Sequence, residues 1–286
     1  MKPLNVVITT YNRSEILCRC LQSLEDQDLD RSQFFVTLVD DGSLDNTSSL
    51  ARALKSTLNY ELVLITQENQ GAGKARNVGV FSRKSTYTLF MGDDIFPQRD
   101  DFLSKHFDAL QSSNQNTVFV GFTTWHPELA RSRFRDWLEN GGPQLDFRGL
   151  KDGQSTDFWH FYTGNMSLPT HLLEKEAFDA HFQGYGWEDI ELGLRLTKNR
   201  KSKIRYLAAA KAWHLHPLEP SHVWQRVIAM KHGAKYFEAK HPEISILPKG
   251  WKRWLIFFAT LPPIPRFLGF FRRELEWYFL LKKKWL

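Results

Sequence analysis

Four short apolar runs bounded by polar clusters frame the first hundred residues: Leu4 to Thr9 (LNVVIT), Phe34 to Val39 (FFVTLV), Glu61 to Thr66 (ELVLIT) and Tyr87 to Met91 (YTLFM). Their β-branched and aromatic content predicts strands buried on both faces. Between the first two, Leu17, Cys20, Leu21 and Leu24 recur at helical spacing. Asn12 stands where it can cap that helix, with Glu15 three residues on. Residues 45–58 and 73–82 supply two further helices. Strand and helix thus alternate as they do in a parallel α/β sheet, where ligands bind at the carboxyl ends of the strands.

The second half is less regular. Residues 123–161 are aromatic and charged, broken by Gly141, Gly142 and Gly153, which predicts a long loop or lid. A helix is expected from Glu188, with Ile190, Gly193, Leu194 and Thr197 sharing a face. After His241-Pro242 the composition turns to Trp, Phe, Pro and Lys/Arg, so the expected domains are 1–245 and an aromatic, basic helical extension at 246–286.

With 286 residues, 42% of them hydrophobic, the chain is long enough for one large α/β domain. The formal net charge of +6 changes meaning once located. Residues 249–286 hold nine basic and two acidic side chains, which leaves the remainder near neutral and argues against a nucleic-acid-binding face. Cys18 and Cys20 lie two apart on a predicted helix, so their side chains diverge and no mutual disulfide is expected. No leader pattern follows Met1, and a cytoplasmic location is expected.

The candidate chemistry lies at the strand ends. Thr9-Thr10-Tyr11-Asn12, Asp40-Asp41-Gly42-Ser43, Asn69-Gln70-Gly71-Ala72-Gly73 and Gly92-Asp93-Asp94 each follow one strand. Any one of them is ordinary turn chemistry, but four in succession face one crevice. There a carboxylate can accept an imide N–H, an aromatic can stack on a base, and glycines let backbone approach a ligand.

The segments VVITTYNR (6–13), VDDGSLDNT (39–47), NQGAGKARNVG (69–79) and MGDDIFP (91–97) resemble, in order and spacing, the motifs of glycosyltransferase family 2 of the GT-A type. The resemblance covers roughly residues 4 to 217. It implies a GT-A-type fold with a mostly parallel central sheet flanked by helices, and a UDP-sugar donor. It also implies that Thr9 and Tyr11 frame the base, that Asp41 with its neighbour Asp40 contacts the uracil, and that Arg76 lies near the nucleotide or pairs with a carboxylate. The family's Asp-x-Asp motif is here Gly92-Asp93-Asp94, so its first aspartate is missing. Asp93 remains as a nucleotide contact and Asp94 as the metal position, with Mn2+ or Mg2+ the natural choice for oxygen ligands. A further ligand is expected from AWHLHP (212–217), where His214 and His216 alternate on extended chain, with His214 preferred.

FQGYGWEDIELGLRL (182–196) is similar to the acceptor motif of galactosyltransferase-like and chondroitin-synthase-like members. By that similarity Trp187 stacks on an acceptor sugar, Glu188 contacts the acceptor, and Asp189 is the base, with Glu188 second in line. Both acids also suit the first turn of a helix on electrostatic grounds alone. Gly164-Asn165 resembles the wall beside the donor sugar. The expected activity is inverting hexosyl or N-acetylhexosaminyl transfer to a glycan or lipid-linked hydroxyl, as in polysaccharide biosynthesis. A retaining transferase on the same scaffold, or a non-catalytic nucleotide-sugar-binding protein, is the alternative. The aromatic and basic tail, whose longest uncharged stretch (254–265) is too short to span a bilayer, is expected at the cytoplasmic face of a membrane or in a homo-oligomer interface.

Overall fold

The computed structural model describes residues 2–140, 144–182, 186–217 and 220–247, with backbone only at 133, 134, 137 and 220–229. The expected tail therefore lies outside the described residues from 248 onward. Two compact units are present. The first comprises residues 1–129, 149–181 and 188–216; the second takes 130–148, 182–187 and the chain from 217.

The four apolar runs form strands β1 (Leu4–Thr10), β2 (Phe34–Asp40), β3 (Leu62–Thr66) and β4 (Tyr87–Gly92). All are mutually parallel, in the order β3-β2-β1-β4. Helices α1 (Ser14–Gln22), α2 (Thr47–Lys55) and α3 (Ala72–Phe81) connect them. β1 and β2 are buried almost throughout, which is why neither alternates polar with apolar residues.

Beyond β4 come β5 (Ile95–Pro97), α4 (Phe102–Gln111), β6 (Thr117–Trp125) and, in the second unit, α5 (Arg133–Glu139). β7 (Ser155–Thr156), a 3-10 turn at Phe158–His160, β8 (Asn165–Pro169), α6 (His171–Lys175), α7 (Glu188–Arg200), β9 (Lys203–His214) and α8 (Pro220–Lys240) complete the order. β8 joins β4 antiparallel, and the sheet continues β8-β6-β9-β5. β6 and β9 pair in parallel, and β5 lies antiparallel on β9.

Three local expectations are corrected. Asn12 does not cap α1: with φ at +54° it takes a left-handed turn, and its side-chain oxygen accepts from Leu44 N at 2.7 Å, tying the end of β1 to the loop after β2. The region 123–161 is not one loop, since β6 runs to Trp125 and α5, β7 and the 3-10 turn follow. α7 begins at Glu188 as expected, but of the predicted face only Gly193 and Leu194 are buried, with Ile190 and Thr197 half-buried, and Glu188, Glu191, Leu192 and Leu196 are buried with them.

In the second unit, the Trp187 and Phe237 rings lie 5.4 Å apart and Phe182 meets Tyr236 edge-on at 4.8 Å. Glu238 holds Ser245 Oγ and Leu247 N, each at 3.2 Å. Among the described residues no helix is long and apolar enough to cross a membrane.

Candidate active site

Parallel pairing brings the strand ends together. Thr10 is level with Asp40, Asp40 with Thr66, and Thr9 with Gly92, so the four polar clusters share one edge of the sheet. Gly42 lets the second cluster close on the third: its φ is +80°, and a Cβ there would stand 2.7 Å from Asn69 N. Only a residue without a side chain fits.

The two aspartates of the second cluster are used differently. Asp41 is consumed internally: Oδ1 accepts from Gln67 Nε2 at 2.7 Å and Gln70 N at 2.9 Å, and Oδ2 from Gly71 N at 2.8 Å. It holds the turn ahead of α3. Asp40 is fully buried; its Oδ1 accepts from Ser43 N at 3.0 Å, and its Oδ2 has no partner among the described residues. A buried carboxylate oxygen left unpaired is costly unless a ligand donor completes it. Tyr11 stays exposed and Thr9 half-buried at the same edge.

The fourth cluster carries the carboxylates. Thr10 Oγ1 donates to Asp93 Oδ2 at 2.7 Å. Burial, then the adjacent Asp94 charge, push Asp93 above the ordinary carboxylate range. Burial also pushes Asp94 up, but His214, His216 and Arg13 outweigh it and hold that carboxyl well below the usual range. Because β9 runs antiparallel to β5, His214 comes level with Ile95, beside Asp94, and Leu215 N donates to Asp94 O at 2.8 Å. Asp94 Oδ2 lies 3.3 Å from His214 Nε2 and 2.8 Å from His216 Nδ1. One ligand atom from each residue falls within 4.8 Å of the others. One carboxylate and two imidazoles form a donor set suited to Mn2+ or another borderline divalent ion.

The position of the missing first Asp-x-Asp aspartate is tightly packed. A Cβ on Gly92 would stand 3.0 Å from Asp94 Oδ1 and 3.0 Å from Ile95 Cγ1. A carboxylate there would press against the one that faces the histidines.

At the start of α7, Arg76 Nη1 donates to Glu188 Oε1 at 2.8 Å, and its guanidinium lies 5.4 Å from the Phe178 ring centre. Arg76 thus pairs with a carboxylate of α7, not with one of the sheet edge. Asp189 accepts from Ile190 N at 2.8 Å, and burial together with the Glu188 charge raises its carboxyl to about 7 against the pull of Arg76. Glu191 is structural: Arg195 Nε approaches it at 2.8 Å while Arg195 Nη1 reaches Glu176 at 2.8 Å.

Two predicted residues are placed differently from the rest. Trp187 belongs to the second unit, where its buried ring packs toward Phe237 and Gly233. The Asn165 side chain is spent on structure: it accepts from His106 Nε2 at 2.8 Å and donates to Ala210 O at 3.1 Å and Phe122 O at 3.2 Å. Gly164 nevertheless stands beside the site, since Gly92 N donates to Gly164 O at 3.1 Å. Sequence reasoning assigned no role to Thr10, Gln67 or Arg13. The last was visible inside the TTYNR segment but marked by nothing beyond its charge.

The parallel sheet that gathers carboxylates at its strand ends, with histidines returned to them from a distant strand, has the GT-A-type fold. The model of Glycosyl transferase family 2 matches residues 5–169, and the chain belongs to that family. Validoxylamine A glucosyltransferase of Streptomyces hygroscopicus subsp. jinggangensis is 28% identical over 274 residues, taking in 86% of this chain and 62% of that enzyme. Chondroitin synthase of Pasteurella multocida is 26% identical over 243 residues, 75% of this chain and 25% of its own. The chain thus spans less than two thirds of either relative. Mannosyltransferase PcManGT of Pyrobaculum calidifontis, solved with GDP-Man and Mn2+, superposes with a TM-score of 0.63 at 17% identity, over 96% of this chain and 69% of that one. Staphylococcus aureus TarS 1-349 with UDP-GlcNAc gives 0.59 at 18% identity, over 81% and 65%. At such identities the likeness concerns the fold.

Proposed function

We propose that the chain is a metal-dependent, inverting glycosyltransferase that moves a sugar from a UDP-sugar to a hydroxyl of a glycan or lipid-linked acceptor. The observation that carries this reading is the convergence of Asp94, His214 and His216 at the strand-end edge that also holds the unpartnered Asp40 Oδ2. When bound by those three side chains, a divalent ion supplies charge neutralisation for the departing diphosphate. Asp40 Oδ2 accepts the uracil imide N–H, Asp41 keeps the loop rigid around it, and Tyr11 offers its exposed ring to the base. Asp189 takes the proton of the acceptor hydroxyl as that oxygen bonds to the anomeric carbon and the bond to UDP breaks. A carboxyl near pH 7 is a competent base at neutrality. Arg76 keeps Glu188 paired and so leaves Asp189 as the acid free to exchange a proton.

The test is nucleotide release from a panel of UDP-sugars with manganese, with GDP-mannose alongside and a chelator control. Release that needs both metal and one donor supports the reading. No release from any donor favours the non-catalytic alternative, and a product that keeps the donor's anomeric configuration replaces inversion by retention. The segment from 246 onward is proposed as a peripheral contact with the cytoplasmic face of a membrane, on the strength of its Trp and Lys/Arg content. Pelleting with anionic but not neutral vesicles, lost on truncation near Pro248, tests it.

A further inference from the structure

Arg13 occupies an unusual place. It precedes α1, and its backbone is anchored by Arg13 N donating to Thr47 Oγ1 at 3.0 Å. Its guanidinium reaches into the proposed metal cluster: Nη1 lies 2.6 Å from Asp94 Oδ2 and 3.5 Å from Asp93 Oδ1, and Nη2 lies 2.8 Å from His216 Nδ1. The same Asp94 oxygen faces both histidines, and Asp94, His214 and His216 are the residues whose ligand atoms gather. One guanidinium therefore engages two of the three residues that could hold a divalent ion.

The hydrogen-bond chemistry sharpens the point. A guanidinium only donates, and the His216 Nδ1 that it approaches also lies 2.8 Å from Asp94 Oδ2, so Arg13, His216 and Asp94 meet at one corner of the cluster. A salt bridge serving the fold alone needs the carboxylates and has no use for the imidazole. Arg13 is also the most open member of the cluster, with 26% of its side chain exposed against 13% for Asp94 and 8% for His216.

We propose that Arg13 is a resident counter-cation: it holds the metal-facing atoms of Asp94 and His216 when no metal is bound, and it withdraws when a divalent ion takes them. This rests on the metal reading above and adds to it that metal entry competes with an internal charge. Two buried carboxylates thereby avoid facing each other uncompensated before the metal arrives. Metal affinity in the absence of nucleotide is held down by the cost of displacing the guanidinium.

The experiment is a Mn2+ titration of the whole chain without nucleotide, following free Mn2+ by electron paramagnetic resonance, for the wild type, Arg13→Ala, Arg13→Lys and Asp94→Ala. Arg13→Ala is expected to bind Mn2+ roughly 10- to 100-fold more tightly, the worth of one or two charge-assisted hydrogen bonds. Arg13→Lys, whose ammonium engages one ligand at a time, falls between and keeps the proposal testable if the alanine variant does not fold. Asp94→Ala abolishes binding in either background. Wild-type binding with equal or weaker affinity in both Arg13 variants overturns the counter-cation and leaves the metal site standing. No binding by any variant overturns both.

Discussion

Replacing Asp189 by Asn separates catalysis from electrostatics. The exchange keeps the shape of the side chain and its bond from Ile190 N, but removes the charge and the ability to take a proton. If Asp189 is the base, turnover falls about 10²- to 10⁴-fold, or about 3–5 kcal/mol of barrier, with UDP affinity unchanged. The same carboxyl predicts a stability effect of opposite sign. It is raised from 3.8 to about 7 in the folded chain by burial and by Glu188. A carboxyl with a raised folded value favours the folded state while protonated, so its contribution is intact below about pH 4 and fades as pH rises through about 7. The full difference corresponds to about 4 kcal/mol, and water reaching the half-buried group reduces it to about 2 kcal/mol. The wild type should therefore lose stability relative to Asp189→Asn between pH 4 and pH 8, with the variant melting several degrees higher at pH 8. Wild-type turnover should rise through pH 7 as the base deprotonates. Paired urea titrations at pH 5 and pH 8, with pH–rate profiles, measure both. Parallel stability curves would refute the electrostatic reasoning, and undiminished turnover would refute the base and pass the role to Glu188.

Asp94→Ala, His214→Ala and His216→Ala should each weaken manganese-dependent UDP binding by at least 10- to 100-fold in calorimetry; retention by one histidine variant removes that histidine from the ligand set. Asp40→Ala should weaken UDP binding by about 10- to 100-fold with little change in stability. Asp41→Ala should destabilise the chain by about 2–4 kcal/mol, because the Gln70 and Gly71 N–H groups lose their acceptor; denaturant midpoints and UDP titrations tell the two apart. Gly92→Asp should lower the urea midpoint by about 1–3 kcal/mol through crowding of Asp94 and Ile95, and an unchanged midpoint would show that the site has room for the missing carboxylate.

The sequence by itself determined the first four strands, their alternation with helices and the polar clusters at their ends, because hydrophobic period and turn chemistry are local properties of the chain. It also paired Asp94 with a ligand from His214 or His216, His214 preferred, although 120 residues of chain separate Asp94 from His214; that both imidazoles reach Asp94 came only from the fold. Only the tertiary structure decided what each polar group has left to offer, since hydrogen-bond capacity depends on neighbours remote in sequence. Asp40 and Asp41 are adjacent and chemically identical, yet the loop after β3 engages both oxygens of Asp41, while one buried oxygen of Asp40 has no partner among the described residues. Asn165 reads like a wall residue and is consumed by His106 and two carbonyls. Arg13, which local pattern could not distinguish from any surface arginine, reaches Asp94 and His216 because parallel pairing sets the end of β1 beside that of β4 and antiparallel pairing returns β9 to the same edge.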